Sequence, residues 1–280
     1  MSIGRSPAAG SRLPRLLLGL VAWTAGLLFF FPVLWMFLTG FKHESQASTD
    51  PPTWLFTPTT EQYEAIFARD FAPFLVNSAT SSLLSTLLVL ALAVPAAYAL
   101  SLAPVPKWRD VLFFFISTRM MPAVASIVPL YLIAKSLGVL DNITMLSLVY
   151  TAMNLPIAVW MLRSFLMEIP REVLEAARVD GASLPVQLTR IVLPMIAPGL
   201  AATALICFIF AWNEFFFAVS LTATRAATVP VFLVGFITSE GLFWARLSAA
   251  STLAALPVVI AGWVAQKQLV RGLSLGAVKG

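Results

Sequence analysis

Long stretches without charged side chains recur along the chain, separated by short polar segments. A transmembrane helix needs about 20 mostly apolar residues, and six stretches reach that length. They cover residues 16–39, 71–102, 111–134, 143–162, 194–221 and 247–266. Four contain no Asp, Glu, Lys or Arg, whereas the third contains Arg119 and the fifth contains Glu214. The pattern predicts an all-α polytopic membrane protein with six transmembrane helices in a single domain, 1–280.

Composition agrees with a bilayer environment and excludes several other classes of protein. Of the 280 residues, 59% are hydrophobic and 11% are charged, against about 45–50% and 25% in an average soluble domain. The net charge of +5 comes from scattered Lys and Arg residues, unlike the basic patch of a nucleic-acid-binding domain. One histidine, His43, and one cysteine, Cys207, supply neither a metal-ligand cluster nor a nucleophile with its base. We expect no catalytic site, metal or nucleic-acid partner, and an intramembrane enzyme is a remote alternative.

The distribution of Lys and Arg between the loops predicts the orientation in the membrane, because these residues concentrate in cytoplasmic loops. Twelve lie on one side, namely Arg5, Arg12, Arg15, Lys107, Arg109, Arg163, Arg171, Arg178, Arg190, Lys267, Arg271 and Lys279. Five lie on the other side, namely Lys42, Arg69, Lys135, Arg225 and Arg246. Both termini are therefore predicted to be cytoplasmic.

The loop at 163–193 is the only stretch on the predicted cytoplasmic side that is long enough to fold. Pro170 suits the first turn of a helix, where its missing N–H has no partner to lose. Glu175 lies four residues after Arg171 and three before Arg178, so these side chains can pair on one helix face. We therefore expect a short amphipathic helix to begin after Pro170.

A second helix is predicted to follow the first after a sharp turn. Gly181 is suited to the left-handed conformation that ends a helix, and Ser183 is a candidate N-cap for a helix that runs towards Pro194. The two helices form a helix–glycine–helix elbow, which we call the elbow below. The residues alone leave open an amphipathic loop that merely rests on lipid headgroups.

The elbow carries a spaced motif. Glu175-Ala176-Ala177 is followed after three residues by Gly181, after nine more by Ile191, and then by Leu193-Pro194. This spacing resembles the EAA signature of permease subunits in binding-protein-dependent ABC importers. The six spans and the C-terminal segment resemble the carbohydrate branch of that family, the maltose- and polyol-type inner-membrane components. The resemblance implies the type I importer permease fold, in the cytoplasmic membrane of a bacterium.

The same resemblance implies a coupling role and a set of partners. The elbow would be the coupling helix that sits in a cleft of a separate ATPase subunit. The residues that match the motif are Glu175, Ala176, Ala177 and Gly181. Arg178 and Asp180 lie between them and are implied to contact the partner or to pair within the elbow. The chain lacks a Gly-x-x-x-x-Gly-Lys-Ser/Thr loop, so it is expected to bind no cofactor, and ATP is used by the partner. The implied partners are an ABC ATPase dimer, a second homologous permease subunit and an extracytoplasmic solute-binding protein.

Five polar residues within or near the spans are candidates for the translocation pathway or for contact with another subunit: Asn77, Arg119, Asn154, Asn213 and Glu214. Charges inside a membrane usually face a cavity or a partner. As alternatives, Arg119 snorkels to the interface, Glu214 is neutral or pairs with Arg119, and the amides form interhelical hydrogen bonds. Because Arg119 precedes Met120-Met121-Pro122, the third span is predicted to be bent or broken there.

Two short segments give information about which solute is transported. Residues 117–122 and 240–252 resemble permeases of mannitol- and sorbitol-type systems. This resemblance favours a sugar alcohol as the transported solute. The alternative is a disaccharide or glycoside carried by a permease of the same family.

Overall fold

The computed structural model describes residues 12–102, 106–238 and 241–277, with side chains at 17–102, 106–238 and 241–266. Arg5, Lys279 and Glu240, which entered the predictions above, lie outside the described residues. The helices are α1 (Arg12–Thr39), α2 (Glu44–Ala47), α3 (Glu61–Phe67), α4 (Phe71–Ser101), α5 (Trp108–Met120), α6 (Ala123–Ser136), α7 (Ile143–Leu166), α8 (Arg171–Val179), α9 (Leu184–Val186), the π-helical segment Gln187–Val192, α10 (Leu193–Met195), α11 (Ala197–Trp212), α12 (Phe216–Leu221), α13 (Val229–Val234) and α14 (Trp244–Ala277). Two short strands are β1 (Ile237–Thr238) and β2 (Gly241–Leu242).

Four helices among the described residues are long and apolar enough to cross a membrane without a break. They are Leu17–Thr39, Phe71–Ser101, Ile143–Leu166 and Trp244–Gln266. Two further pairs of helices reach that length only together, and each pair is sharply bent. The predicted six crossings thus correspond to four continuous helices and two bent pairs, if each pair crosses once.

The third predicted span, 111–134, consists of two helices, as its Met-Met-Pro sequence predicts. α5 ends at Met120 and α6 begins at Ala123, with an 88° bend between them. Pro122 is the N-cap of α6, a position where a residue without an N–H group interrupts no helical hydrogen bond. The bend brings Arg119 to the end of a helix rather than to the middle of a span.

The fifth predicted span, 194–221, differs more from the expectation, because it is broken twice. The helical stretch Leu184–Met195 meets α11 at an angle of 82°, and Ile196 at the corner leaves helical geometry. α11 ends at Trp212, and α12 begins at Phe216. Proline in the first turn of α11 explains the first corner, since it suits a helix start. The second break coincides with Glu214, whose carboxylate caps the next helix.

The chain divides into two compact units. In the larger unit, α4, α7 and α11 pack against one another around side chains with no exposed surface, among them Val89, Val159 and Cys207. At Gly199 in α11 the helices approach so closely that an added Cβ atom would overlap the ring of Phe165 in α7. The larger unit therefore has a dense helical core that depends on a small residue.

Among the described residues, the smaller unit contains 12–66 and 241–253, the latter with β2 and the first turns of α14. The carboxylate of Glu44 accepts hydrogen bonds from the backbone N–H groups of Ala245 and Arg246, at 3.0 and 3.3 Å. An acidic side chain at this place complements the positive end of the helix dipole. Lys42 donates to the carbonyl oxygen of Thr53 at 2.8 Å, and burial lowers the pKa of its ammonium group. The smaller unit thus combines these polar contacts with packed aromatic rings, such as Trp35 against Trp54 and Phe41 against Tyr63.

Candidate functional site

α8 forms the first arm of the elbow and has two distinct faces. It begins directly after Pro170, as the sequence predicts. Leu174 and Ala177 point inward and are 3% and 6% exposed. Val179, in contrast, is 88% exposed. One stripe of the helix is therefore anchored in the protein, and the opposite surface is exposed.

The free surface carries most of the residues that match the EAA motif. Glu175, Ala176, Arg178 and Asp180 are all exposed, whereas Ala177 is buried beneath them. The ion pairs expected between Glu175 and Arg171 or Arg178 do not form within the described part of the chain. In solvent such exposed pairs gain little, which leaves these charged groups available to another molecule.

Gly181 makes the corner of the elbow and has the left-handed conformation predicted for it. Its φ is +75°, and nothing lies within 4 Å of the position that a Cβ atom would occupy. The N–H of Gly181 donates to the carbonyl oxygen of Arg178 at 3.0 Å, and that of Ala182 donates to Ala177 at 2.9 Å. These bonds satisfy carbonyl groups that the end of α8 would otherwise leave unpaired.

The second arm is helical from Leu184 to Met195 but includes a π-helical segment, which the sequence analysis did not anticipate. Ser183 precedes it, as predicted, yet its side chain forms no capping bond. Instead, the buried amide of Gln187 fixes the corner. Its Nε2 donates to the carbonyl oxygen of Ala182 at 2.7 Å, and its Oε1 accepts from the hydroxyl of Tyr98 at 3.4 Å.

Gln187 therefore connects the elbow to α4, a role that sequence reasoning missed. A single amide between Val186 and Leu188 gives only a weak signal, and its partner in α4, Tyr98, lies 89 positions away in the chain. The same region is packed by apolar side chains, because Leu174, Val192 and Ile196 belong to one buried cluster with the ends of α4 and α7. α8 is thus packed firmly against the helices of the core, since close-packed interiors deform little.

Arg119 and Glu214, the two charged residues of the predicted spans, form hydrogen bonds with different partners. Arg119 is exposed, donates from Nη1 to the carbonyl oxygen of Met153 at 3.0 Å, and lies over the ring of Phe210. Glu214 accepts from the backbone N–H groups of Phe217 and Ala218 at 2.9 and 3.1 Å. The alternative that Glu214 pairs with Arg119 is therefore wrong. Its carboxylate instead starts α12, where two otherwise unpaired N–H groups need an acceptor.

The three amides have separate roles in the structure. Asn77 donates to the carbonyl oxygens of Arg225 and Ala227 at 3.0 and 2.9 Å. Asn154 is fully buried and donates to the carbonyl oxygen of Cys207 at 3.3 Å, which links α7 to α11. Asn213 is exposed and bonds only to its own helix. Asn154 thus forms the interhelical hydrogen bond that was its alternative interpretation. Asn77 instead bonds to the loop between α12 and α13, and Asn213 faces outward.

Asp141, between α6 and α7, holds a distant loop that the sequence did not reveal. Its carboxylate accepts four backbone N–H groups at 2.9 to 3.1 Å, from residues 223 to 226. Burial alone would raise the pKa of this carboxyl, but the four amide donors outweigh it and hold the pKa below its ordinary value. Asp141 and Asn77 together fix the segment between α12 and α13. We call this arrangement the Asp141 clamp.

Replacing Asp141 by Asn is expected to lower the free energy of unfolding by about 2 kcal/mol, because the charge and one acceptor oxygen are lost. The lowered pKa means that the clamp contributes fully above about pH 4 and loses its contribution as the pH falls towards the folded-state pKa. Thermal unfolding of the purified protein at several pH values measures both effects. Asp70→Asn is the matched control, because Asp70 has the same φ of 53° and caps nothing. Equal unfolding temperatures for the two variants would contradict the clamp.

Comparisons with known proteins agree with this geometry. A family model described as "Binding-protein-dependent transport system inner membrane component" matches residues 90–274. The chain is 37% identical to the probable ABC transporter permease protein y4oR of Sinorhizobium fredii, over 96% of this chain and 98% of that one. It is 34% identical to the trehalose transport system permease protein SugB of Mycobacterium tuberculosis, over 89% and 92% of the two chains.

A solved structure shows the same fold. It is the crystal structure of a bacterial ABC transporter involved in the import of the acidic polysaccharide alginate. One of its chains superposes with a TM-score of 0.75 at 22% identity, and the match covers 95% of this chain and 100% of that one. The type of fold predicted from the sequence is confirmed.

Proposed function

The chain belongs to the family of inner membrane components of binding-protein-dependent transport systems, as a permease subunit of a carbohydrate ABC importer, and on that premise we propose that its elbow docks to a separate ATPase. The observation that carries the proposal is the division of α8 into a buried and an exposed face. Ala176 and Val179 present a small and an apolar side chain outward, which allows close approach by a partner. Glu175, Arg178 and Asp180 surround them with charges of both signs.

The path from the docking surface to the spans supports a coupling role. Leu174 and Ala177 anchor α8 in the core, and Gln187 ties the corner at Gly181 to α4. Closure of an ATPase dimer on binding ATP would therefore move α4, α7 and α11 with the elbow. This chain supplies the moving element, and ATP is bound and hydrolysed by the partner.

The proposed partners also include a second permease subunit and an extracytoplasmic solute-binding protein. In α1, none of the described side chains from residue 17 to residue 38 is buried. This apolar surface suits lipid and the spans of a second permease. The elbow lies on the cytoplasmic side in this proposal, and both termini are cytoplasmic, as the distribution of Lys and Arg predicts.

For the solute, we propose a disaccharide or glycoside rather than a sugar alcohol. The support is the similarity to the trehalose permease over 89% of the chain. The two segments that resemble polyol permeases, 117–122 and 240–252, are short by comparison.

The solute is tested with the importer reconstituted in vesicles together with its ATPase and binding protein. Trehalose and maltose are expected to stimulate ATP hydrolysis several-fold through the loaded binding protein, whereas mannitol and sorbitol leave the basal rate unchanged. Stimulation by mannitol or sorbitol alone would overturn the proposed solute class. The coupling role would survive that result, because it depends on the elbow and not on the solute.

Arg119 and Asn213 are the proposed contacts to solute or to the second subunit, because both are exposed at the broken helices. Glu214, Asn77 and Asn154 position those helices. Arg119→Gln is expected to lower uptake of the stimulating sugar about tenfold, since one hydrogen bond to a charged group contributes about 1.5 kcal/mol. Lys135→Gln removes an exposed cation from the end of α6 and serves as the control. Equal uptake by both variants would assign Arg119 to a structural role.

A further inference from the structure

Two cavities lie beside the elbow, and the second shares Glu175 and Arg178 with the proposed docking surface. The first is an apolar groove of about 530 Å³ between α5 and α7, lined by Leu112, Phe113, Ile116 and Trp160 among others. The second is a polar cleft of about 820 Å³ between α8 and the ends of α4 and α7. Trp108 and Arg163 line both cavities, so the apolar groove and the polar cleft meet at these two side chains.

The aromatic and aliphatic walls of the groove are open to their surroundings. Phe113 is 72% exposed, Trp160 39% and Ile116 37%. In a helix pair embedded in a bilayer, such a groove is filled by apolar chains, because water has no hydrogen-bond partners there. Tryptophan is enriched where the hydrocarbon meets the headgroups, and Trp108 stands where the apolar groove passes into the polar cleft.

Positive charge gathers at this junction. The guanidinium groups of Arg163 and Arg109 lie over the indole of Trp108, at 4.6 and 5.2 Å from a ring centroid. The Nε of Arg163 donates to the carbonyl oxygen of Leu100 at 3.3 Å, which fixes the side chain. Its Nη groups have no hydrogen bond within the part of the chain that the structure describes. They are held in place and remain free to donate.

The charges around the two cavities are unbalanced. Arg109, Arg163, Arg171 and Arg178 line them, with Glu175 as the acidic residue. Planar guanidinium groups are suited to phosphate oxygens, which they bind with two parallel hydrogen bonds. Basic pockets between transmembrane helices are a recognised setting for anionic lipid headgroups. The chemistry of the site is thus an apolar slot that ends in a phosphate-binding rim.

We propose that the groove and the cleft bind one anionic phospholipid. An acyl chain lies in the apolar groove, the phosphate accepts hydrogen bonds from Arg163 at the junction, and Arg109 adds a second positive charge at the rim. The rest of the headgroup occupies the cleft against α8. A lipid in this place fills the space between the elbow and the spans, so it stiffens their connection. The proposal requires only that α5 and α7 lie in the bilayer, and it does not depend on the docking of an ATPase.

The test is native mass spectrometry of the importer complex in detergent, with phosphatidylglycerol or phosphatidylcholine added at equal concentration. The wild-type complex is expected to retain one phosphatidylglycerol per copy of this chain and to release phosphatidylcholine. Arg109→Gln is expected to weaken retention about fivefold, because a basic residue at a membrane surface contributes about a factor of five. Ile116→Trp fills the groove and is expected to abolish retention. Arg190→Gln, at an exposed arginine of the elbow that lines neither cavity, is expected to behave as wild type.

Equal retention of the two lipids, or wild-type retention by both Arg109→Gln and Ile116→Trp, would overturn the proposal. Loss of the second permease subunit from Ile116→Trp, with bound lipid unchanged, would also overturn it and make the groove a protein interface. Arg109 is exposed, so its replacement leaves the fold intact even if Ile116→Trp fails to assemble.

Discussion

A chain with Gly181→Val is expected to insert into the membrane and fold normally. When it is purified from the membrane, however, about tenfold less ATPase subunit is expected to copurify with it. A β-branched residue at a φ of +75° is strained by about 1–2 kcal/mol, and 1.4 kcal/mol corresponds to a factor of ten. The elbow relieves this strain by leaving the left-handed conformation, which turns α8 away from its docking position. The measurement is the ratio of ATPase to permease after affinity purification, together with uptake.

The chain offers a matched control for this prediction. Gly138 also has a left-handed φ, +66°, and nothing lies within 4 Å of its missing Cβ. Gly138→Val therefore introduces the same backbone strain at the end of α6, away from the elbow, and it should recover the ATPase at the wild-type ratio. Gly181→Asn should do the same, because asparagine tolerates the left-handed region. If Gly181→Val recovered as much ATPase as these two controls, the elbow would not be the docking element.

Gly199→Ala is expected to destabilise the folded chain by about 1–3 kcal/mol, the usual effect of overpacking a dense core. The added methyl group would overlap the ring of Phe165, so α11 must move away from α7. Both helices carry the apolar cluster that anchors α8, and uptake should therefore fall together with stability. Thermal unfolding in detergent measures the first effect and vesicle uptake the second.

Gly262→Ala is the control for the loss of a glycine in a helix. Gly262 lies in α14, and nothing lies within 4 Å of its missing Cβ, so alanine there should stabilise the helix by about 0.5–1 kcal/mol. Combining Gly199→Ala with Phe165→Leu should recover part of the lost stability, because the smaller side chain makes room. Similar unfolding temperatures for Gly199→Ala and Gly262→Ala would show that the helices are not in close contact.

The continuous spans could be predicted closely because their signal is local. The second predicted span, 71–102, and α4 agree within one residue. The fourth was expected to end at residue 162, before Arg163, but α7 continues to Leu166. Arg163 is accommodated because its guanidinium group lies over Trp108 and donates to Leu100. A charge ends an apolar stretch in the sequence without ending the helix.

The elbow could be predicted from its spacing and from Gly181, whereas the contacts that hold it could not. Gln187 bonds to the side chain of distant Tyr98 and to the nearby backbone of Ala182, and Asp141 bonds mainly to backbone atoms of a distant segment. Backbone donors and acceptors are the same at every residue, so the sequence carries no mark of such a pairing. The second break of the fifth span was missed for a related reason. Glu214 was interpreted as a charge in a span, although its carboxylate caps α12.

The most direct test of the coupling account is crosslinking from the exposed face of α8. Cys207 is first replaced by Ser, so that a newly introduced cysteine can be labelled selectively. Ala176→Cys is then labelled with a photoreactive group in the assembled importer. Thr144→Cys, at an exposed position in the first turn of α7, carries the same group as the control. The account predicts that the probe at position 176 captures a P-loop ATPase and that the probe at position 144 does not. Capture of the ATPase from position 144 alone, or from neither position in a complex that hydrolyses ATP, would contradict it.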